Sequence, residues 1–137
     1  MIRSYIDNDY DNLKALYLQS DLYGGVFDEA RDGRERLASK IAQDPEAILV
    51  YEQDRKLVGT ISLIEDGRVA WLYRFAVVDF DEHVSKQLYD AAIDVLKARG
   101  HSEVLVYSSP TSTELDARYS ALGMNRGGDY TAYWSKI

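Results

Sequence analysis

The chain has 137 residues, 46% hydrophobic and 28% charged, which suits one globular domain spanning 1–137 with a core large enough to fold alone. A formal net charge of -7 leaves no basic excess to neutralise phosphates, which excludes a general nucleic-acid binder. No cysteine is present, which excludes disulfides, thiolate nucleophiles and cysteine metal sites, and His83 and His101 are too few for a histidine-rich metal centre.

The opening residues MIRSYIDNDYDN hold no apolar signal core, and no apolar run approaches the length that spans a bilayer. The expected location is the cytoplasm, with no membrane partner. Eleven tyrosines stand out, and several are expected to line a groove or cover a sheet with the hydroxyl outward.

Ile2 to Ile6 alternates apolar and polar residues and predicts a short strand. Asp7 then caps a helix with Tyr10, Leu13, Leu16 and Tyr17 at helical spacing. Gly24-Gly25 breaks regularity. Asp32-Gly33-Arg34-Glu35 has the form of a capping box for a helix with Leu37, Ala38 and Ile41, which stops before Pro45. Ile48 to Glu52, Leu57 to Glu65 and Arg68 to Val77 predict three strands of an antiparallel meander, with turns at Gln53-Asp54-Arg55-Lys56 and Asp66-Gly67.

The run from Trp71 to Gly100 reads as a buried strand, a short acidic loop and a long amphipathic helix. Val84, Leu88, Ala91, Ala92, Val95 and Leu96 form its apolar face, and Gly100 fits the position just past its end. Glu103 to Tyr107 predicts a fifth strand, ended by Ser108-Ser109-Pro110, and it must run parallel to the Arg68–Val77 strand. Thr111-Ser112-Thr113-Glu114 has the form of a second capping box. It opens a helix with Leu115, Tyr119 and Leu122 on one face, stopped by Gly123. Tyr130 to Lys136 predicts a last strand.

This order, together with the opening Ile2-Arg3, Phe75-Ala76-Val77 at the end of the fourth strand and Tyr119-Ser120-Ala121-Leu122-Gly123-Met124 near the C-terminus, resembles the GNAT superfamily of acetyl-CoA-dependent N-acetyltransferases. The resemblance covers essentially the whole chain. It implies an α/β (α+β) fold with a mixed, mostly antiparallel central sheet of six to seven strands and helices on both faces. It implies acetyl-CoA as co-substrate, lying between splayed fourth and fifth strands with its pyrophosphate at the start of the next helix. The chain departs from the family at that loop. Val78 to Leu88 has neither the glycines nor the arginine that the family uses there, and it carries Asp79, Asp81 and Glu82. A carboxylate within a few Å of a phosphate is unfavourable by roughly 1 kcal/mol even when well solvated.

By the same resemblance, Phe75, Ala76, Val77, His83, Val84, Ser85, Lys86 and Ser112 are expected to meet the cofactor, with the backbone at Ala76 and Val77 polarising the thioester carbonyl. Ser85 is read either as a phosphate contact or as the cap of its helix. Tyr119 matches the acid that protonates the departing thiolate, and it is equally the central apolar residue of its helix face. Ser112 is read either as a cofactor contact or as part of its helix N-terminus. His83 and His101 are otherwise exposed loop and turn residues, and Glu65 and Asp66 belong to a solvated turn. One of Tyr73 and Arg74 is expected to face the groove. Asp21 to Arg31, with Tyr23, Gly24, Gly25 and Phe27, falls where the family covers its acceptor site and reads as a lid or as a plain connection. The expected function is acetyl transfer to an amine of a small molecule, peptide or protein by direct attack. The alternative is a GNAT-fold binding or regulatory module without catalysis, a homodimer through its last strand.

Overall fold

Polar side chains organise the first turn of the chain. In the computed structural model, which describes residues 1–19, 26–108 and 111–137, Arg3 on strand β1 (Ile2–Ser4) grips the Asp9 carboxylate at 2.7 and 2.9 Å. Asp9 also accepts the Ile6 amide at 3.0 Å, so Asp7–Asp9 forms one 3-10 turn that leads into α1 (Tyr10–Gln19). Tyr10, Leu13, Leu16 and Tyr17 are buried, as their spacing predicts. The Gly24-Gly25 break, residues 21–25 of the stretch read as a lid or as a plain connection, and the stop at Ser109-Pro110 lie outside the described residues.

The capping box expected at Asp32 does not form. Asp32 ends the short helix α2 (Glu29–Asp32), where its carboxylate accepts the Asp28 amide at 2.8 Å and pairs with Arg74. With that carboxylate engaged, α3 (Arg34–Gln43) starts after Gly33 without a side-chain cap.

The meander forms as expected. Strands β2 (Ile48–Gln53), β3 (Lys56–Glu65) and β4 (Ala70–Val77) follow β1 in an antiparallel sheet of order β1-β2-β3-β4. Asp54 and Arg55 make the two-residue β2–β3 turn with φ of 50° and 64°, as a type I′ turn requires. The β3–β4 turn is longer than its sequence suggests. The Asp66 carboxylate takes the amides of Arg68 and Val69 at 2.9 and 3.1 Å, so β4 begins at Ala70 rather than Arg68.

Helices cover both faces of β3. Tyr17 of α1 lies beside Ser62, while Gly59 lies under Leu88 and Val84 of α4 (Glu82–Ala98). Residues three apart on a strand point to opposite faces. On the α1 side, Tyr5, Leu13, Leu16, Leu37, Ile48 and Val50 belong to one buried cluster.

Helix α4 ends in a Schellman motif. Gly100 stands at φ 87°, its amide bonds Lys97 O at 3.0 Å, and the His101 amide bonds Leu96 O at 3.1 Å. The chain is pinned there by Arg99, which reaches Asp44 at 2.7 and 2.8 Å and Glu65 at 3.1 Å. His101 was expected in solvent. Instead its side chain is 5% exposed and Nε2 lies 2.7 Å from Glu65, so Glu65 belongs to this polar cluster rather than to a solvated turn.

The parallel pairing after α4 exists but is minimal. Leu72 N–H donates to Leu105 O at 2.9 Å and Leu105 N–H donates to Ala70 O at 3.0 Å. The expected strand Glu103–Tyr107 is thus a single bridge, with the Tyr107 ring tilted against Trp71 at 4.7 Å between ring centroids. Tyr130–Lys136 joins no ladder among the described residues and is exposed, because an alternating pattern supplies no strand partner by itself. The described sheet has four strands, not six or seven.

The chain divides into two compact units, Met1–Tyr107 and Ser108–Ile137. The second holds α5 (Thr113–Ala121). Its N-cap is Ser112, whose Oγ accepts the Leu115 amide at 3.3 Å, one residue later than the predicted box at Thr111.

Candidate functional site

The fourth strand is bent by a bulge. Thr60 pairs with Ala76 and Ser62 with Tyr73, so two steps on β3 match three on β4. The extra residue falls at Arg74-Phe75, and Arg74 has φ of 47°, in the left-handed region that side chains rarely enter. Its guanidinium turns inward to Asp32, with Nε to Oδ1 and Nη2 to Oδ2 both at 2.9 Å and both side chains 2% exposed. The expected choice between Tyr73 and Arg74 is therefore altered by the bulge. Arg74 is buried against α2, and Tyr73 stays half-buried with its ring centroid 4.6 Å from the guanidinium carbon.

Beyond the bulge, Phe75, Ala76 and Val77 are buried. The parallel bridge at Leu105 ends before this segment, and no further pairing to β4 follows on that edge among the described residues. The strand to which the resemblance gives a carbonyl-polarising role thus runs past the end of its outer ladder.

A tight turn, Val78–Phe80, joins β4 to α4. Asp79 and Phe80 stand at φ of 52° and 50°, so two non-glycine residues adopt the geometry usually given to glycine. The cap of α4 is Asp81, not Ser85: the Asp81 carboxylate accepts the Val84 amide at 2.9 Å. Ser85 lies a turn further on, buried, and its Oγ has no hydrogen-bond partner among the described residues. Val84 is in the core against Gly59, Lys86 pairs with Asp90, and His83 is exposed. The amides of Glu82 and His83, first in the helix, have no partner within it.

The remaining predicted residues belong to the second unit. Ser112 caps α5, as one of its two readings required. Tyr119 is buried, and its carbonyl accepts the Met124 amide at 3.1 Å while Gly123, at φ 89°, bonds Ser120 O at 3.0 Å. This is again a Schellman motif, with Tyr119 three residues inside the helix end and Met124 just beyond its glycine. The run Tyr119–Met124 therefore specifies a helix stop, independent of any chemistry at the hydroxyl.

Both turn carboxylates are engaged within the turn itself. The His101 hydrogen bond lowers the Glu65 pKa, and the Arg68 side chain holds Asp66 down to about 2. No group of three or more histidine or acidic side chains is placed to hold a metal ion among the described residues. Sequence reasoning missed the partner of Arg74. Its only signal was a charged residue inside an apolar strand, and Asp32 itself looked like a helix cap. Gly59 was missed as well, although a lone glycine inside a strand marks close approach.

No family model and no curated protein matches the chain. Solved structures do. The PaiA N-acetyltransferase of Thermoplasma acidophilum, in complex with coenzyme A, matches with a TM-score of 0.71 and 22% identity, over 88% of this chain and 86% of that one. The aminoglycoside 6'-N-acetyltransferase AAC(6')-Ig of Acinetobacter haemolyticus matches with a TM-score of 0.77 and 15% identity, over 100% and 99%. AAC(6')-Iy, in complex with the bisubstrate analog CoA-S-monomethyl-acetylneamine, matches with a TM-score of 0.77 and 20% identity, over 100% and 98%. Matched over 88–100% of its length by these structures, this chain has the fold of the GNAT acetyltransferases.

Proposed function

We propose that this chain transfers an acetyl group from acetyl-CoA to an amine of a small molecule, peptide or protein. The observation that carries the reading is the bulged end of β4, which continues past its outer ladder in a fold shared with acetyltransferases, some bound to coenzyme A or a derivative. Acetyl-CoA supplies the activated carbonyl. The chain fits it at the first turn of α4, where the Ser85 hydroxyl is buried without a partner and the helix end attracts anions.

In this reading the backbone N–H at Ala76 or Val77 donates to the carbonyl oxygen, where negative charge grows as the amine attacks. The Tyr119 hydroxyl gives its proton to the departing thiolate. The amides of Glu82 and His83, with Ser85, hold phosphate oxygens. Ser112 keeps its role as the cap of α5. Attack is direct, since no cysteine is available to carry the acyl group. The net charge of -7 draws the acceptor in as its ammonium ion; solvent water takes that proton before attack, and the proton that the nitrogen sheds after attack restores the Tyr119 hydroxyl.

One observation favours a second reading, a GNAT-fold binding module without catalysis. The Asp81 carboxylate already occupies an amide at the helix end that would meet phosphate. Calorimetric titration with acetyl-CoA separates the two. Heat of binding, followed by acetylation of a panel of amines, supports the enzyme. No binding at about 1 mM acetyl-CoA, the top of the usual range for substrates, overturns it. A Tyr119→Phe variant that binds acetyl-CoA normally should transfer about 10- to 100-fold more slowly; an unchanged rate removes the acid role.

A further inference from the structure

We propose that the Asp32–Arg74 pair is a positioning clamp that holds β4 in its bulged path and fixes that strand to α2. The proposal rests on the acetyl-transfer reading above. Helix α2 overlaps the stretch where the resemblance places the acceptor cover, and β4 is the strand assigned to the acyl donor.

The pair is an expensive choice for stability alone. Both side chains are 2% exposed, and the desolvation of a buried ion pair offsets most of its attraction. Arg74 also stands in the left-handed region, at φ 47°. What the pair supplies is direction. One hydrogen bond of 2.9 Å from Arg74 Nε to Asp32 Oδ1, with Nη2 in ion-pair contact with Oδ2 at the same distance, ties the Arg74 side chain to a fixed point on α2. The carboxylate is itself held, because Asp32 accepts the Asp28 amide at 2.8 Å across α2.

The neighbouring residues repeat the connection. The Arg31 guanidinium lies beside the Tyr73 hydroxyl, and the Arg74 guanidinium lies over the Tyr73 ring. Consecutive residues of α2 thus meet consecutive residues of β4. A bulge changes the facing of every residue beyond it, so the path of Phe75, Ala76 and Val77 depends on where Arg74 is held. These are the residues whose amides polarise the carbonyl in the proposed reaction.

The test compares the full chain with the double variant Asp32→Asn plus Arg74→Gln, which removes both charges and leaves two amides able to bond each other. Amide hydrogen exchange at residues 73–77 should rise by about 10-fold or more while β2 and the β2–β3 turn stay unchanged. Turnover should fall by about 10- to 100-fold with the acetyl-CoA dissociation constant changed by less than about threefold. Arg74→Lys keeps the charge without the fork and should fall between wild type and the double variant on both readouts; if the double variant does not fold, Arg74→Lys carries the comparison. Unchanged exchange at residues 73–77 overturns the clamp, and so does a turnover loss matched by an equal loss of acetyl-CoA affinity. A wild-type chain that transfers no acetyl group would overturn the functional reading, and the exchange measurement then decides the clamp alone.

Discussion

At Gly59 the sheet and α4 approach more closely than side chains ordinarily allow. A Cβ placed there would sit 2.7 Å from a Leu88 methyl and 2.9 Å from a Val84 methyl. Val84 is β-branched with little rotamer freedom, so the helix itself must move to admit it. Gly59→Ala should therefore destabilise the chain by about 1–3 kcal/mol, read as a lower midpoint in urea with an unchanged slope. A midpoint equal to wild type would mean that α4 is loosely held. Asp81 presents the opposite situation, a residue that suits folding and opposes the proposed ligand. Its carboxylate caps α4 and complements the helix dipole. Asn keeps an oxygen acceptor for the Val84 amide and removes the charge. Asp81→Asn should tighten acetyl-CoA binding by roughly fivefold, the equivalent of about 1 kcal/mol of Coulomb repulsion, in the same calorimetric titration. Unaltered affinity would place the phosphates elsewhere.

The elements divide by how locally they are determined. Helix α5 stops at Gly123, which stands at φ 89° with open space around a would-be Cβ. Only the backbone conformation is at stake there, so Gly123→Ala should lower stability by about 1 kcal/mol, visible as a drop in melting temperature. Tyr119→Phe leaves this stop intact, which is why a loss of turnover in that variant would report on the hydroxyl. Signals of this kind were legible in the sequence: the apolar faces of α1 and α4, the meander, and the glycines at both helix ends. Features that depend on distant partners were not. Asp32 looked like a cap because its true partner lies 42 residues away. His101 looked exposed because Glu65 arrives from the β3 end. The bulge on β4 left no glycine to announce it, since Arg74 itself adopts the left-handed turn. The edge strands failed for a related reason: Leu105 makes a single bridge and Tyr130–Lys136 makes none among the described residues, although both segments carry strand-like patterns.

Across the whole molecule, charge and burial set the pH range in which the fold persists. Hydrogen bonds from Arg3 and Arg99 hold the carboxyls of Asp9 and Asp44 below their ordinary value of 3.8. Folding therefore favours their charged forms. The stabilisation is fully present above about pH 4 and is lost as pH falls through the lowered folded values. Tyrosines limit the alkaline side. Burial, aided by the carboxylates of Asp7 and Asp9, pushes the Tyr5 hydroxyl from 10.0 up to about 12, and burial also raises Tyr17. The folded state then holds protons that the unfolded chain releases. That stabilisation is complete below pH 10 and is lost as pH rises from 10 towards 12. The melting temperature should form a plateau from about pH 4 to 10 with a fall on each side, provided the unfolded chain titrates at ordinary values. Each fall has its own residues. Asp9→Asn with Asp44→Asn should lower the plateau and flatten the acid limb, and Tyr5→Phe should flatten the alkaline limb alone. An acid limb of undiminished slope in the double variant would transfer acid sensitivity to the remaining carboxylates, such as Glu65 beside His101, and exclude the two arginine grips as its cause.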